Sequence, residues 1–275
     1  MKNRSIYLIV IISLAACFQV EAQLQWFAPL KELDNAKLMV TYRLTYHEDT
    51  TDFQRTGTEK MVLLIGNTIS NFQSYRKYEC ERIGRQKQNE GLLLQWVQSG
   101  AVKDYACKYQ YSIYKNYPDG EMTITDQLFL GDLYEYKEKL YPFEWEILDD
   151  MAYIEGYLCQ KAICNFGGRT WKAWFTNELP FNDGPYKFGG LPGLIMNMSD
   201  TQDHYRFEFL SIETLPEQTV IGWEEKDFIK TTKQDFFNAT HALSNTLEFD
   251  DRLDDDMAKR VHTALKSRNN PIELK

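Results

Sequence analysis

Hydrophobic and polar residues alternate along most of the chain, with the period of two that is typical of β-strands. Residues 157–166 and 169–176 show this pattern on both sides of Gly167-Gly168 and predict a hairpin. Residues 109–114 and 121–128 flank a Pro-Asp-Gly turn and predict a second hairpin. Further strands are predicted at 38–46, 61–65, 92–97, 132–140, 194–198 and 205–210. About ten strands with few helices between them favour an antiparallel sheet over βαβ units.

Helical spacing is confined to a few segments. Residues 72–88 carry Tyr75, Tyr78 and Ile83 at helical intervals, and residues 226–242 and 254–267 also predict helices. The predicted fold class is therefore mainly β with C-terminal helices, built on a large curved antiparallel sheet. We expect residues 23–217 to form the β-rich domain, and residues 218–275 to form a partly helical extension that packs on it.

The N-terminus has the pattern of a secretory signal peptide. Lys2 and Arg4 precede an apolar run at 6–16 that is too short to span a bilayer, and Val20-Glu21-Ala22 supplies small residues for cleavage. Residues 1–22 are the predicted signal peptide. The alternative is lipidation of Cys17, because Leu14-Ala15-Ala16-Cys17 resembles a bacterial lipobox. Both routes predict export to the periplasm or the outer membrane, and no later apolar run is long enough for a transmembrane span.

Composition and charge narrow the function classes. The chain is 43% hydrophobic and 14% aromatic, which argues against disorder, and its net charge of −9 argues against a nucleic-acid partner. The four histidines are scattered without zinc spacing, and no nucleophile elbow or phosphate-binding loop is present. We therefore assign no catalytic residue, metal or cofactor from the sequence.

Four cysteines follow the predicted signal peptide: Cys80, Cys107, Cys159 and Cys164. An even number in an exported chain is compatible with disulfides. Cys159 and Cys164 lie in one predicted strand, roughly 16 Å apart at about 3.3 Å per residue, which is too far for a bond between them. The pairing Cys80–Cys107, or pairing of each of these with one of the later two, remains open, as do buried thiols.

Residues 180–196 form an unusual segment that is rich in proline and glycine but also apolar. Within it, Leu191-Pro192-Gly193-Leu194 predicts a type II turn in which Gly193 has positive φ, and Gly190, Pro192 and Gly193 are the predicted turn residues. The segment either folds onto its own sheet or forms the rim of a binding cleft. We expect Leu191 and Ile195 to anchor it. The predicted rim residues are Arg169, Trp171, Trp174, Lys187, Phe188, Leu191 and Pro192.

Several motifs around this segment resemble one known family. Gly190-Leu191-Pro192-Gly193-Leu194-Ile195 is the signature that gives the GLPGLI family of exported Gram-negative proteins its name. Gly168-Arg169, 171–176, 184–188 and the C-terminal 269–274 also resemble its pattern. The resemblance implies a β-rich extracytoplasmic protein, similar to the open half-barrel of lipoprotein carriers. It implies no catalytic residues.

Three functions are compatible with these observations. The leading hypothesis is an exported, non-enzymatic protein that cradles an apolar or amphipathic ligand on a curved sheet or docks on an envelope partner. The second is an accessory or structural protein of the outer membrane that works with a transport complex. The third is a hydrolase with an unrecognised site, which would require titratable groups that converge in a cleft.

The export hypothesis makes a direct prediction. We expect the mature chain to begin at Gln23, because Ala22 completes the cleavage pattern. N-terminal sequencing of the chain isolated from the cell envelope measures this. A retained Met1 or a diacylated Cys17 would contradict it. Cys17→Ala separates the two routes, since only lipidation depends on that thiol.

Overall fold

The computed structural model of the chain describes residues 27–52, 54–128, 132–246 and 269–274. The predicted signal peptide, the lipobox at Cys17 and the predicted helix at 254–267 lie outside these residues. The elements are β1 (Leu30–Asn35), β2 (Leu38–His47), β3 (Thr56–Ile65), β4 (Ser70–Ser74), α1 (Tyr75–Asn89), α2 (Leu93–Gln98), a 3-10 helix (Ala101–Tyr105), β5 (Ser112–Lys115), β6 (Glu121–Gln127), β7 (Leu133–Lys139), β8 (Glu146–Ile154), β9 (Tyr157–Phe166), β10 (Arg169–Thr176), β11 (Leu194–Asp200), β12 (Tyr205–Thr214), β13 (Val220–Glu224), β14 (Ile229–Lys230) and α3 (Lys233–Thr246).

A twelve-stranded sheet dominates the fold, in the order β14-β7-β6-β5-β4-β3-β2-β12-β11-β10-β9-β8. Every pairing in it is antiparallel except the short parallel contact between β14 and β7. In the described part of the chain the sheet does not close into a barrel, since β14 and β8 are its two ends. The predicted fold class, mainly β with a large antiparallel sheet, is confirmed.

Both faces of the central strands are buried. On β2, Val40, Tyr42 and Leu44 point into the main core, whereas Met39 faces a smaller cluster on the opposite side. This follows from the alternation of side chains along a strand. The smaller cluster is covered by α1 and by β1 and β13, which pair with each other as a separate two-stranded sheet. The molecule therefore has a second layer on its outer face.

Two sequence-based assignments differ from the structure in informative ways. Residues 92–97, predicted as a strand, lie largely in α2, where Leu93 is buried and Leu94 is 46% exposed. A short apolar run has no period that distinguishes strand from helix. Strand β8 was not predicted, because it is a sheet edge and most of its side chains are exposed, so it lacks clean alternation.

The turn predicted at Leu191–Leu194 is wrong in its geometry. Gly193 does not have positive φ; the left-handed glycine of the segment is Gly190, with φ 80°. Gly193 is needed for another reason, since a β-carbon there would overlap the backbone carbonyl oxygen of Thr176 and lie 2.6 Å from its carbon. The backbone of the segment passes directly against the end of β10.

The two geometries predict different mutant stabilities. Because any β-carbon at Gly193 meets backbone, Gly193→Ala and Gly193→Asn should both lower the free energy of unfolding by about 1–3 kcal/mol. Urea denaturation measures this. Gly156→Asn is the control, since Gly156 has φ 87° with open space around it and Asn tolerates that region, so its cost should be less than about 1 kcal/mol. Wild-type stability for Gly193→Asn would contradict the close approach.

Candidate functional site

The predicted binding rim is mostly buried. Pro192 is exposed and Trp174 is half-buried. The other five rim residues are inaccessible to a ligand: Arg169, Trp171, Lys187, Phe188 and Leu191. These five side chains therefore do not form an exposed rim, because the segment folds down onto the main core. Leu191 and Ile195 are buried, as an anchoring role requires.

Lys115 explains why the segment folds inward. This residue of β5 is 1% exposed, and its ammonium donates three hydrogen bonds: to Oδ1 of Asp183 at 2.6 Å, and to the backbone oxygens of Gly184 and Phe188 at 2.7 Å each. Those acceptors satisfy all three donors of the ammonium group. The segment between Asp183 and Phe188 is thus wrapped around a buried positive charge.

Lys187 points into the same interior from the segment itself. Its ammonium pairs with Glu138 of β7 and with Glu273 of the C-terminal tail, which lies at 2.7 Å. Lys233 of α3 pairs with the same two carboxylates, at 3.0 and 2.5 Å. Burial raises the pKa of Glu273, but the two lysines more than offset it and hold that pKa below its usual range. Two positive and two negative groups therefore balance one another.

Arg169 binds the C-terminal tail (residues 269–274) from the other side. Its guanidinium donates to the backbone oxygens of Ile272 at 3.0 Å and Pro271 at 2.7 Å, and to the side chain of Asn270. It also pairs with Asp200 at 3.1 Å. Three of the motifs that resemble the GLPGLI family, Gly168-Arg169, 184–188 and 269–274, thus meet in one buried polar cluster.

One open cavity lies on the outer face of the sheet. It has a volume of about 540 Å³ and lies between α1, the 3-10 helix, β6 and the end of β13; we call it the outer groove. Its aromatic wall contains Trp223, whose ring centroid lies 5.1 Å from that of Tyr114 and 5.5 Å from that of Phe228. Tyr105, Val102 and Leu133 add further apolar surface.

Ionisable groups line the same groove. Lys77 donates to the backbone oxygen of Gln110 at 2.6 Å and to the hydroxyl of Ser112 at 2.8 Å, and burial lowers its pKa. Burial raises the pKa of Asp126 to about 6. Arg85 pairs with Glu224 at 3.1 Å. The groove therefore combines an apolar wall with a small number of partly desolvated charges, as ligand sites commonly do.

The four described cysteines are free thiols in this structure, which corresponds to the second of the two alternatives, buried thiols, for Cys159 and Cys164. Cys159 and Cys164 are buried in the main core, where burial raises their pKa values to about 11 and 12. Cys80 and Cys107 are half-buried and both line the outer groove. Burial raises their pKa values as well.

The sequence did not reveal the outer groove. Its residues come from separate stretches near positions 77–85, 102–112, 125–133 and 222–228, which β-sheet pairing brings together. The pairing of β1 with β13 places Trp223 opposite Lys31, and that long-range contact has no local signal. The sequence indicated only one part of the groove, the helix predicted from the polar pattern at 72–88.

Two features are absent from the described ranges. No helix among these residues is long and apolar enough to cross a membrane. Within the same residues, no three or more His, Cys, Asp or Glu side chains are grouped as metal ligands would be.

Comparisons with known proteins give limited similarity. A family described as a protein of unknown function (Porph_ging) matches residues 167–197, which run from the β9–β10 turn into β11. Two crystal forms of PNGF-II match with a TM-score of 0.51 and 13% sequence identity, over 75% of this chain and 33% of that chain. The chain thus spans about a third of PNGF-II, and the similarity concerns the fold. No curated protein shows significant sequence similarity.

The buried cluster predicts a large effect of removing one charge. Lys115→Met should lower the free energy of unfolding by about 3–5 kcal/mol, because it leaves the Asp183 carboxylate buried without its cation. Urea denaturation measures the loss. Lys137→Met on β7 is the matched control, since its side chain is 48% exposed and lies 3.9 Å from Glu121, and it should cost less than about 0.5 kcal/mol. Equal losses for both variants would contradict the proposed role of Lys115.

Proposed function

We propose that the protein is an exported, non-enzymatic binding protein of the bacterial cell envelope that holds an amphipathic ligand in the outer groove. The observation that carries this proposal is the pairing, in one open cavity, of an aromatic wall at Trp223 with the partly desolvated ammonium of Lys77. The predicted site beside residues 185–196 is not proposed again, because its side chains are buried.

The aromatic wall suits the apolar part of such a ligand. Trp223 is half-buried, and the hydroxyl of Tyr114 donates to the backbone oxygen of Gly222 at 3.1 Å, which fixes the ring next to it. The ring of Phe228 also packs against Trp223, with 5.5 Å between the two centroids. A preorganised aromatic surface binds an apolar group with little further ordering of its own side chains.

Lys77 suits a negatively charged or strongly polar head group. An ammonium has three donors, and two of those of Lys77 are used by Gln110 and Ser112. Within the described residues the third donor makes no hydrogen bond, so it is available to a ligand oxygen. Arg85 and Lys226 are less suited, because both pair with Glu224.

Two sequence features support the envelope as the proposed place of action. The pattern at residues 1–22 is that of a signal peptide, and the motifs at 168–196 and 269–274 support membership of the GLPGLI family of exported proteins. The short match to Porph_ging covers the central part of those motifs. This assignment and the location are parts of the proposal.

A second candidate function is docking on an envelope partner through β8. Among the described residues this strand has a neighbour on one side only, and it exposes Ile147, Met151 and Tyr153, the last to 76%. An uncovered edge with apolar side chains can accept a strand from another protein. This function predicts that the chain purifies with a membrane protein and that the outer groove binds nothing.

The binding proposal predicts the behaviour of an amphipathic anionic probe. Anilinonaphthalene sulfonate combines aromatic rings with a sulfonate, and we expect it to bind the folded chain with a rise in fluorescence. Trp223→Ala should raise the dissociation constant of the probe by roughly tenfold, which is equivalent to about 1.4 kcal/mol of binding free energy. Lys77→Gln should raise it by a similar factor and reduce its dependence on salt.

The chain offers a matched control pair elsewhere. Trp174 on β10 lies beside Lys161 on β9, and the ammonium of Lys161 is 5.9 Å from the ring centroid of Trp174. Neither residue lines the outer groove. Trp174→Ala and Lys161→Gln should leave probe binding unchanged. If they weaken it as much as the groove variants do, or if no variant changes it, the outer groove is not the site.

A further inference from the structure

Cys80 and Cys107 lie on two elements that pack closely together. Cys80 is on α1 about one turn after Lys77, so the two side chains lie on the same helix face. Arg76 donates to the backbone oxygen of Ala106 at 2.9 Å, and Lys77 donates to that of Gln110 at 2.6 Å. Residues 106–110 therefore run along the first turns of α1, with Cys107 between the two contacts.

Cys80 and Cys107 both line the same cavity. Each lines the outer groove, and Cys107 is among the groups that act electrostatically on Cys80. The amide of Gln110 donates to the sulfur of Cys107 at 3.3 Å, which holds that side chain in place. The two residues are thus close enough to interact across the groove lining.

The remaining cysteines are excluded as partners by their position. Cys159 and Cys164 are on β9 and belong to the main core, whereas Cys80 and Cys107 lie in the second layer on the outer face. Disulfide formation requires Cα atoms within about 7 Å. Of the pairings that the sequence left open, only Cys80 with Cys107 joins two residues that line the same cavity.

We infer that Cys80 and Cys107 are an oxidation site that forms an intramolecular disulfide in the exported protein and fixes one wall of the outer groove. The inference rests on the export part of the proposed function, because disulfides persist in oxidising compartments. The bond would tie α1 to the segment that follows the 3-10 helix. The groove would then keep its shape when it is empty.

The oxidation is a thiol–disulfide exchange with a small-molecule or protein disulfide. One protein thiolate attacks the oxidant disulfide and releases one thiol; the second protein thiolate then attacks the mixed disulfide and releases the other. Two protein S–H bonds are lost, one S–S bond forms, and both electrons and both protons go to the oxidant, which leaves as two thiols.

Alkylation of intact cells tests the inference on the natural chain. Free thiols are blocked with N-ethylmaleimide before lysis, the chain is purified from the envelope fraction, and its peptides are mapped by mass spectrometry without reduction. We expect a peptide that contains Cys80 to be linked by a disulfide to a peptide that contains Cys107. Cys159 and Cys164 should instead be alkylated once the chain is unfolded. Alkylated Cys80 and Cys107, or a link from either to another cysteine, would overturn the inference.

Two variants and a reduction experiment test whether the disulfide joins these two cysteines and whether it stabilises the fold. Cys107→Ser should remove the linked peptide, and Cys164→Ser should leave it unchanged. Reduction with dithiothreitol should lower the Tm of the wild type by roughly 5–10 °C and leave that of Cys107→Ser unchanged. An equal shift in both would also overturn the inference. Binding of anilinonaphthalene sulfonate is measured on the same samples, so a failure of the groove as a ligand site is seen independently of the disulfide.

Discussion

Buried positive charge constrains this structure more than any other feature. An ammonium group removed from water is strongly destabilising unless it has a full set of acceptors. Lys115 obtains them from the segment at 183–188, and Lys187 obtains them from Glu138 of β7 and Glu273 of the tail. These requirements bring together a central strand, a proline- and glycine-rich segment and the C-terminal tail.

The position of the ligand site follows from that constraint. The segment at 180–196 and the tail at 269–274 occupy the core side of the sheet, so the most conspicuous motif in the sequence is part of the interior. The second layer, made by α1, β1 and β13, leaves the outer groove open on the opposite face. The residues that set the fold and the residues proposed to bind a ligand are therefore on different faces of one sheet.

Sequence reasoning succeeded where the signal was local. The hairpin of β9 and β10 was predicted with its bounds, because period-two alternation and Gly167-Gly168 together specify it. It was wrong for Lys187, because a lysine is exposed by default and its burial depends on Glu138 and Glu273, which are far away in the chain. It was also wrong for Gly193, whose role is close contact with Thr176 rather than positive φ. Long-range contacts decided each of these cases.

Hydrogen–deuterium exchange of the full chain, followed by mass spectrometry, tests the central claim most directly. The account predicts that peptides from 180–196 exchange as slowly as the central strands β2 and β3, since most residues of this segment are buried in the same cooperative core. It also predicts that anilinonaphthalene sulfonate slows exchange in peptides from α1 and β13 and leaves 180–196 unchanged. Rapid exchange at 180–196 that the probe suppresses would contradict the account, because the segment would then be a ligand-binding surface and not part of the core.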